Sequence, residues 1–157
     1  MKVVGGSGGV RIRLDTIESQ VLAALFTDLA DVVESDAFDA DDPVRKRLYP
    51  AGYGADTEAS DAFSELTEES LRTERALRAR ACADDLNGAG DVVLDTDAGE
   101  RWVQSLNDLR LALGTRLEIT DETDSADVGD DHPQAQEWGV YHWLTALQDS
   151  LVHRLMR

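Results

Sequence analysis

Cysteine is nearly absent: Cys82 is the only one in 157 residues. No intramolecular disulfide can form, which excludes the disulfide-framed extracellular scaffolds. Lysine is scarce too, with only Lys2 and Lys46 among 15 basic residues; arginine in its place reflects GC-rich coding and carries no mechanism. The three histidines, His132, His142 and His153, lie ten or more residues apart, without a second ligand at metal spacing. Asp121, Thr123, Ser125 and Asp127 lack the glycine and the terminal glutamate of a calcium loop. No metal and no cofactor are expected. No apolar run approaches the roughly 20 residues of a membrane span, and Met1 to Leu14 lacks the apolar core of a signal peptide, so a cytoplasmic protein with no membrane association is expected. Positive charge is in deficit: 32 acidic residues against 15 basic give a formal charge of −17. Such a field repels phosphate backbones, which disfavours direct nucleic-acid binding.

Chemistry-bearing motifs are missing as well. There is no nucleophile elbow. The glycine run Gly5-Gly6-Ser7-Gly8-Gly9 leads into a strand rather than a helix, so no helix amino terminus is available to seat a phosphate. Carboxylates abound, but in acidic runs that water solvates, and none is marked as having a raised pKa. The expectation is a protein that is not an enzyme.

What is present is helical periodicity. Val10, Ile12 and Leu14 alternate with Arg11 and Arg13, and the glycine run before them can turn the chain back onto Val3 and Val4, predicting an amino-terminal hairpin or edge strand. Asp15 with Glu18 makes a capping-box pattern, and Ile17, Val21, Leu25, Leu29 and Val32 recur at helical spacing, giving a helix from about Thr16 to Glu34. Seven acidic residues and no basic one lie between Asp28 and Asp42, before Pro43 and the cluster Arg45-Lys46-Arg47; a helix end and a solvated loop fit this. Leu48-Tyr49-Pro50, Gly52 and Gly54 mark turns. Asp56 can cap a following helix and Thr67 offers a second cap, so the stretch to Leu86 reads as two helices with a bend, surface-lying and paired through Glu68 with Arg72 and Glu74 with Arg78. Asn87-Gly88-Ala89-Gly90 ends it, and Val92, Val93 and Leu94 can pair with the amino-terminal strand. Asp97 with Glu100 is a second capping-box pattern, opening a central helix striped by Trp102, Leu106, Leu109 and Leu113. Glu118 to Asp131 holds seven acidic residues and no basic one and reads as an exposed loop. The last helix starts near Gln134, with Trp138, Tyr141, Leu144, Leu147, Leu151 and Leu155 on its buried face. The fold class is mainly α: one domain over residues 1–157, a bundle of four to five helices with a small N-terminal β-hairpin or short sheet. At this length about 68 to 70% of the unfolded surface leaves water, and no metal is needed for stability.

Asn107, Arg110, Tyr141 and Gln148 form the constellation of most interest. Asn107 and Arg110 fall one turn apart among leucines, and Tyr141 and Gln148 fall among the leucines of the last helix. Buried polar groups need partners, so the two helices should satisfy each other, and a buried Arg110 demands bonded company. The alternative is a pocket capturing a small anion, or an enzymatic site, at the same residues. Gly114 and Gly139 read as places where helices approach closely. Cys82 has Arg78 one turn away, which would favour a reactive thiolate; the plainer reading is a small packed side chain. Both remain open until exposure is known.

Three blocks carry a resemblance: Arg47-Leu48-Tyr49-Pro50, Leu106-Asn107-Asp108-Leu109-Arg110-Leu111 with Gly114-Thr115-Arg116-Leu117, and Trp143-Leu144-Thr145-Ala146-Leu147-Gln148-Asp149-Ser150-Leu151. From about Val10 to Leu155 the chain resembles the actinobacterial family known as domain of unknown function 2017, some of whose members are named oxidative-stress transcriptional regulators. The resemblance implies a cytosolic, mainly helical regulatory or adaptor protein, linked to stress and acting on a sigma factor, RNA polymerase or a proteolysis component by protein contacts. For the regulator members it also implies a closely spaced cysteine pair. This sequence departs there, because Cys82 has Arg78 four residues before it and Leu86 four after, which rules out an intramolecular thiol switch. Partner binding needs no cysteine, since an acidic surface steers onto basic protein patches. The arginine-bearing stretch Glu65 to Arg80 and the acidic stretch Glu118 to Asp131 are the candidate contact surfaces. The oligomeric state is left open, a homodimer included.

Overall fold

The computed structural model describes residues 1–35, 41–49, 57–88, 90–119 and 131–157, with backbone alone over 57–66. Among these, five helices and one three-stranded antiparallel sheet make a mainly α fold. Strand β1 (Lys2–Gly6) pairs with β2 (Gly9–Arg13), and β2 pairs with β3 (Val92–Leu94), aligning Val10 with Leu94 and Ile12 with Val92. The alternation of the sequence decides the faces. Val10, Ile12, Val92 and Leu94 are buried against the helices, while Arg11, Arg13 and Val93 point outward. Both outward arginines reach Asp91, at 3.4 and 3.1 Å. Gly9 makes the turn into β2 at φ +140°, where a Cβ would stand 2.0 Å from the Leu94 carbonyl oxygen; only glycine fits there.

Helix α1 (Thr16–Glu34) starts as the capping box predicts. Asp15 accepts from the Glu18 N–H at 2.8 Å, and the Glu18 carboxylate accepts from the Asp15 N–H at 3.0 Å. Its last turn carries no basic residue. The free carbonyls there are met from another element: Arg72 donates to the Val33 and Ser35 carbonyls at 2.7 and 3.0 Å. Helix α2 (Pro43–Leu48) is a short element that the sequence reading leaves in the loop; Asp42 caps it, Pro43 opens it, and Val44 and Leu48 are buried.

Helix α3 (Thr57–Asp85) is one continuous helix rather than the two that Thr67 suggested. It is also no surface helix. Ala76, Ala79, Cys82 and Ala83 are buried, and α3 packs along α1. A face of small side chains lets two helices approach closely, and it hides the interface from a search for leucine stripes. Of the two expected pairs, Glu74 with Arg78 is present at 3.9 Å, whereas Glu68 engages Arg45 while Arg72 caps α1.

Helix α4 (Thr96–Arg116) is central, touching α1, α2 and α3 together with β2 and β3. Its cap is Asp95, which accepts from the Ala98 N–H at 2.8 Å, two residues before the expected Asp97. Trp102 is fully buried, edge-on to Phe26 with ring centroids 5.3 Å apart, and donates its indole N–H to Asp85 at 2.8 Å. Helix α5 (Ala135–Leu155) lies along α4 and buries Trp138, Leu144, Leu147 and Leu151. Gly114 meets the Tyr141 ring, 3.4 Å from where a Cβ would sit, whereas Gly139 is exposed with nothing within 4 Å. The second glycine therefore marks no close approach.

Candidate functional site

The seam between α4 and α5 is cross-linked by side chains. Arg110 donates through Nε to the Thr145 hydroxyl at 3.0 Å and through Nη1 to the Gln148 side-chain oxygen. Gln148 in turn donates to the Val103 carbonyl at 3.2 Å, so one amide ties α5 to two levels of α4. Thr145 donates to the Tyr141 carbonyl at 3.0 Å, and the Arg110 guanidinium lies 5.6 Å from the centre of the Tyr141 ring. Arg110, Tyr141 and Gln148 are thus brought together. Asn107 is not: it is exposed, on the strip Glu100, Gln104, Asn107 that repeats at helical spacing on the solvent side. Its proximity to Arg110 in sequence misled because a step of three residues turns a helix by about 300°, enough to leave the buried arc.

A second polar cluster lies where α3 meets α4. Asp108, 5% exposed, is the counter-charge to two arginines, with Arg75 at 3.4 Å and Arg78 at 3.6 Å. Burial pushes its pKa above the ordinary carboxylate value, and the two guanidinium groups pull it down less strongly. Arg75 also donates to the Leu48 carbonyl at 2.8 Å and stacks 4.5 Å from the centre of the Tyr49 ring, joining α2 to the pair. The signal in sequence was Arg75 and Arg78 one turn apart, facing a lone acid set between Leu106 and Leu109. Arg72 and Arg75 are turned against α1 and α2, Arg78 is shared between Asp108 and Glu74, and Arg80 lies half-exposed in pairs with Asp31 and Glu34, so the positive charge of α3 is largely engaged by partners within the fold. The exposed side of α3 is instead Glu69, Ser70, Thr73, Glu74 and Leu77.

Cys82 is fully buried beside Ser105 and Arg101, and burial pushes its thiol up to about 11. The electropositive setting expected from Arg78 is not what governs it, because Arg78 points to Asp108. Among the described residues no group of three or more His, Cys, Asp or Glu side chains could hold a metal ion. The acidic surface Glu118 to Asp131 falls almost wholly outside the described residues.

One recess remains. A groove of about 110 Å³ opens between α1, α2, α4 and α5 over Leu29, Val33, Val44 and Leu109, with Asp28 and Arg116 among its lining residues. Arg110, Tyr141 and Gln148 do not line it. The anion-binding alternative at those three draws no support from this groove, and the guanidinium is already bonded to Thr145 and Gln148.

Comparison with known proteins bears on this arrangement. The family described as domain of unknown function (DUF2017) matches residues 2–155. The chain belongs to the DUF2017 family. Similar proteins include the oxidative stress regulator AosR of Mycobacterium tuberculosis (strain ATCC 25618 / H37Rv) and that of Mycobacterium bovis (strain ATCC BAA-935 / AF2122/97). Each is 34% identical over 130 residues, covering 73% of this chain and 59% of the relative. The DUF2017 chain thus spans about three-fifths of the length of these relatives. No solved structure matches it. In this DUF2017 protein no helix among the described residues is long and apolar enough to cross a membrane.

Proposed function

We propose that this chain is a non-enzymatic, cytoplasmic regulatory or adaptor protein of a stress response, working through contacts with a sigma factor, RNA polymerase or a proteolysis component rather than by binding DNA. The observation that carries the reading is kinship with proteins named oxidative stress regulator, over 73% of the chain. Geometry supports it in a second way. The side chains best suited to chemistry are committed to the architecture: Arg110 and Gln148 bind each other, Asp108 answers two arginines, and Cys82 is sealed from solvent. A charge of −17 steers the chain toward basic protein patches and away from phosphate backbones. Since Cys82 is buried, an oxidative signal would reach this chain through its partner. Actinobacterial origin and a transcriptional output belong to the same reading.

The test is affinity capture with the tagged full chain from extracts of the organism that encodes it, with and without oxidant. Specific recovery of a sigma factor, a polymerase subunit or a protease component is the expected result. Recovery of nothing above an unrelated acidic control in either condition would sink the adaptor reading. An anion such as phosphate found bound at Arg110 would favour the small-ligand alternative instead.

A further inference from the structure

The groove between α1, α2, α4 and α5 is a recess that the polar networks do not account for. Its volume of about 110 Å³ is well under the roughly 300–1,000 Å³ of pockets that enclose drug-sized ligands. It is close to the ~150 Å³ of a leucine-lined cavity that takes one benzene. The space therefore suits a single apolar group of side-chain size. Leu29, Val33, Val44 and Leu109 give it a buried apolar floor, and Leu25 and Leu113 are partly exposed at its mouth. Asp28 and Arg116 line it as well, both exposed, and neither has a hydrogen bond or ion pair among the described residues.

Magnitude decides what kind of occupant this is. Burying one leucine- or phenylalanine-sized side chain is worth about ten- to a hundredfold in an equilibrium constant, far short of the roughly millionfold of micromolar binding. A free small molecule held by this groove alone would bind too weakly to matter. An anchor residue on a polypeptide escapes that limit, because contacts around the rim supply the remainder, as at interfaces where a few apolar side chains in pockets dominate. Asp28 and Arg116, unpaired among the described residues, then specify the flanks: a cation for Asp28 and a carboxylate for Arg116.

We infer that the groove is an anchor pocket for one large apolar side chain, Leu, Met or Phe, of a partner polypeptide that sets a basic residue against Asp28 and an acidic one against Arg116. The inference rests on the adaptor reading and assigns the surface that reading uses.

The probe is a random peptide library displayed on phage, selected against the folded full chain. Enriched peptides should share one Leu, Met or Phe between a basic and an acidic residue, and alanine at the anchor should weaken a synthetic copy by about tenfold or more. Leu113→Trp, which fills the mouth, should cause a similar loss. Arg116→Glu should weaken binding and be rescued by a peptide whose acidic flank is changed to lysine; circular dichroism checks that both variants stay helical. The inference is overturned if no apolar anchor is enriched, if the enriched peptides bind Leu113→Trp as they bind the parent, or if free leucine binds as tightly as the peptides. Concentration-dependent self-association abolished by Leu113→Trp would overturn it in favour of a second copy as occupant. Should capture from extracts fail while the peptides obey these rules, the adaptor reading falls and the pocket stands; the reverse pattern condemns the pocket alone.

Discussion

At Asp108 two opposing effects meet on one carboxylate. Burial raises its pKa, Arg75 and Arg78 lower it, and burial prevails. Because the folded value lies above the ordinary 3.8, the folded state holds the proton to higher pH than the unfolded chain does. Stability from this group is thus greatest below 3.8 and declines as pH rises through the folded pKa. Asp108→Asn should accordingly raise the melting temperature at pH 7, with the gain vanishing as the pH falls below about 3.8. If pairing with the arginines governs instead, the same variant melts lower at pH 7, and thermal melts of both proteins across that range decide the matter. For Cys82 the prediction is inertness: with the thiol buried and its pKa near 11, a thiol reagent at pH 8 should leave the native protein unlabelled and react fully in denaturant. Prompt native labelling would contradict the burial. The sequence showed Arg110 and Gln148 as partners because each lies among leucines on a long helix. It could not show that Asn107 faces water or that Asp108 answers arginines on α3, because those facts depend on helix rotation and on contacts more than 25 residues apart in the chain.

At the scale of elements, legibility followed side-chain size. Helices α1, α4 and α5 announce themselves through leucine and tryptophan stripes with a cap ahead of α1 and α4, and the sheet through its alternation and glycine turn. The misread element is α3, whose buried face is Ala76, Ala79, Cys82 and Ala83. Alanine is the best helix former at any site, so its presence does not distinguish a packed face from a solvated one. Substitution does distinguish them. On a solvated face Ala79→Leu would be close to neutral, whereas at this fully buried position the added carbons must displace neighbours, at a cost of about 1–3 kcal/mol. Chemical denaturation should show that loss, and an unchanged midpoint would return α3 to the surface. The short α2 escaped notice for another reason: six residues give too little periodicity to register.

For the whole molecule, charge is the dominant fact, and it acts in opposite directions on stability and on binding. The formal charge of −17 repels itself more in the compact state than in the expanded one. Opposing that are ion pairs such as Arg80 with Asp31 and Glu34, which lie exposed and where screening leaves little net stabilisation. Salt at about 0.1 M shortens the range of exposed charges to roughly 10 Å, weakening both, but the repulsion involves far more pairs. The melting temperature should therefore rise as sodium chloride is added from low ionic strength. A fall would mean that the surface pairs outweigh the self-repulsion. Affinity for a basic partner should move the other way, because the same screening removes the field that steers the encounter. An interface dominated by the apolar groove would weaken only modestly with salt, while one dominated by the acidic surface would weaken steeply. The salt dependence of binding, set against the salt dependence of melting, thus separates the contribution of the anchor pocket from that of the chain's net negative charge.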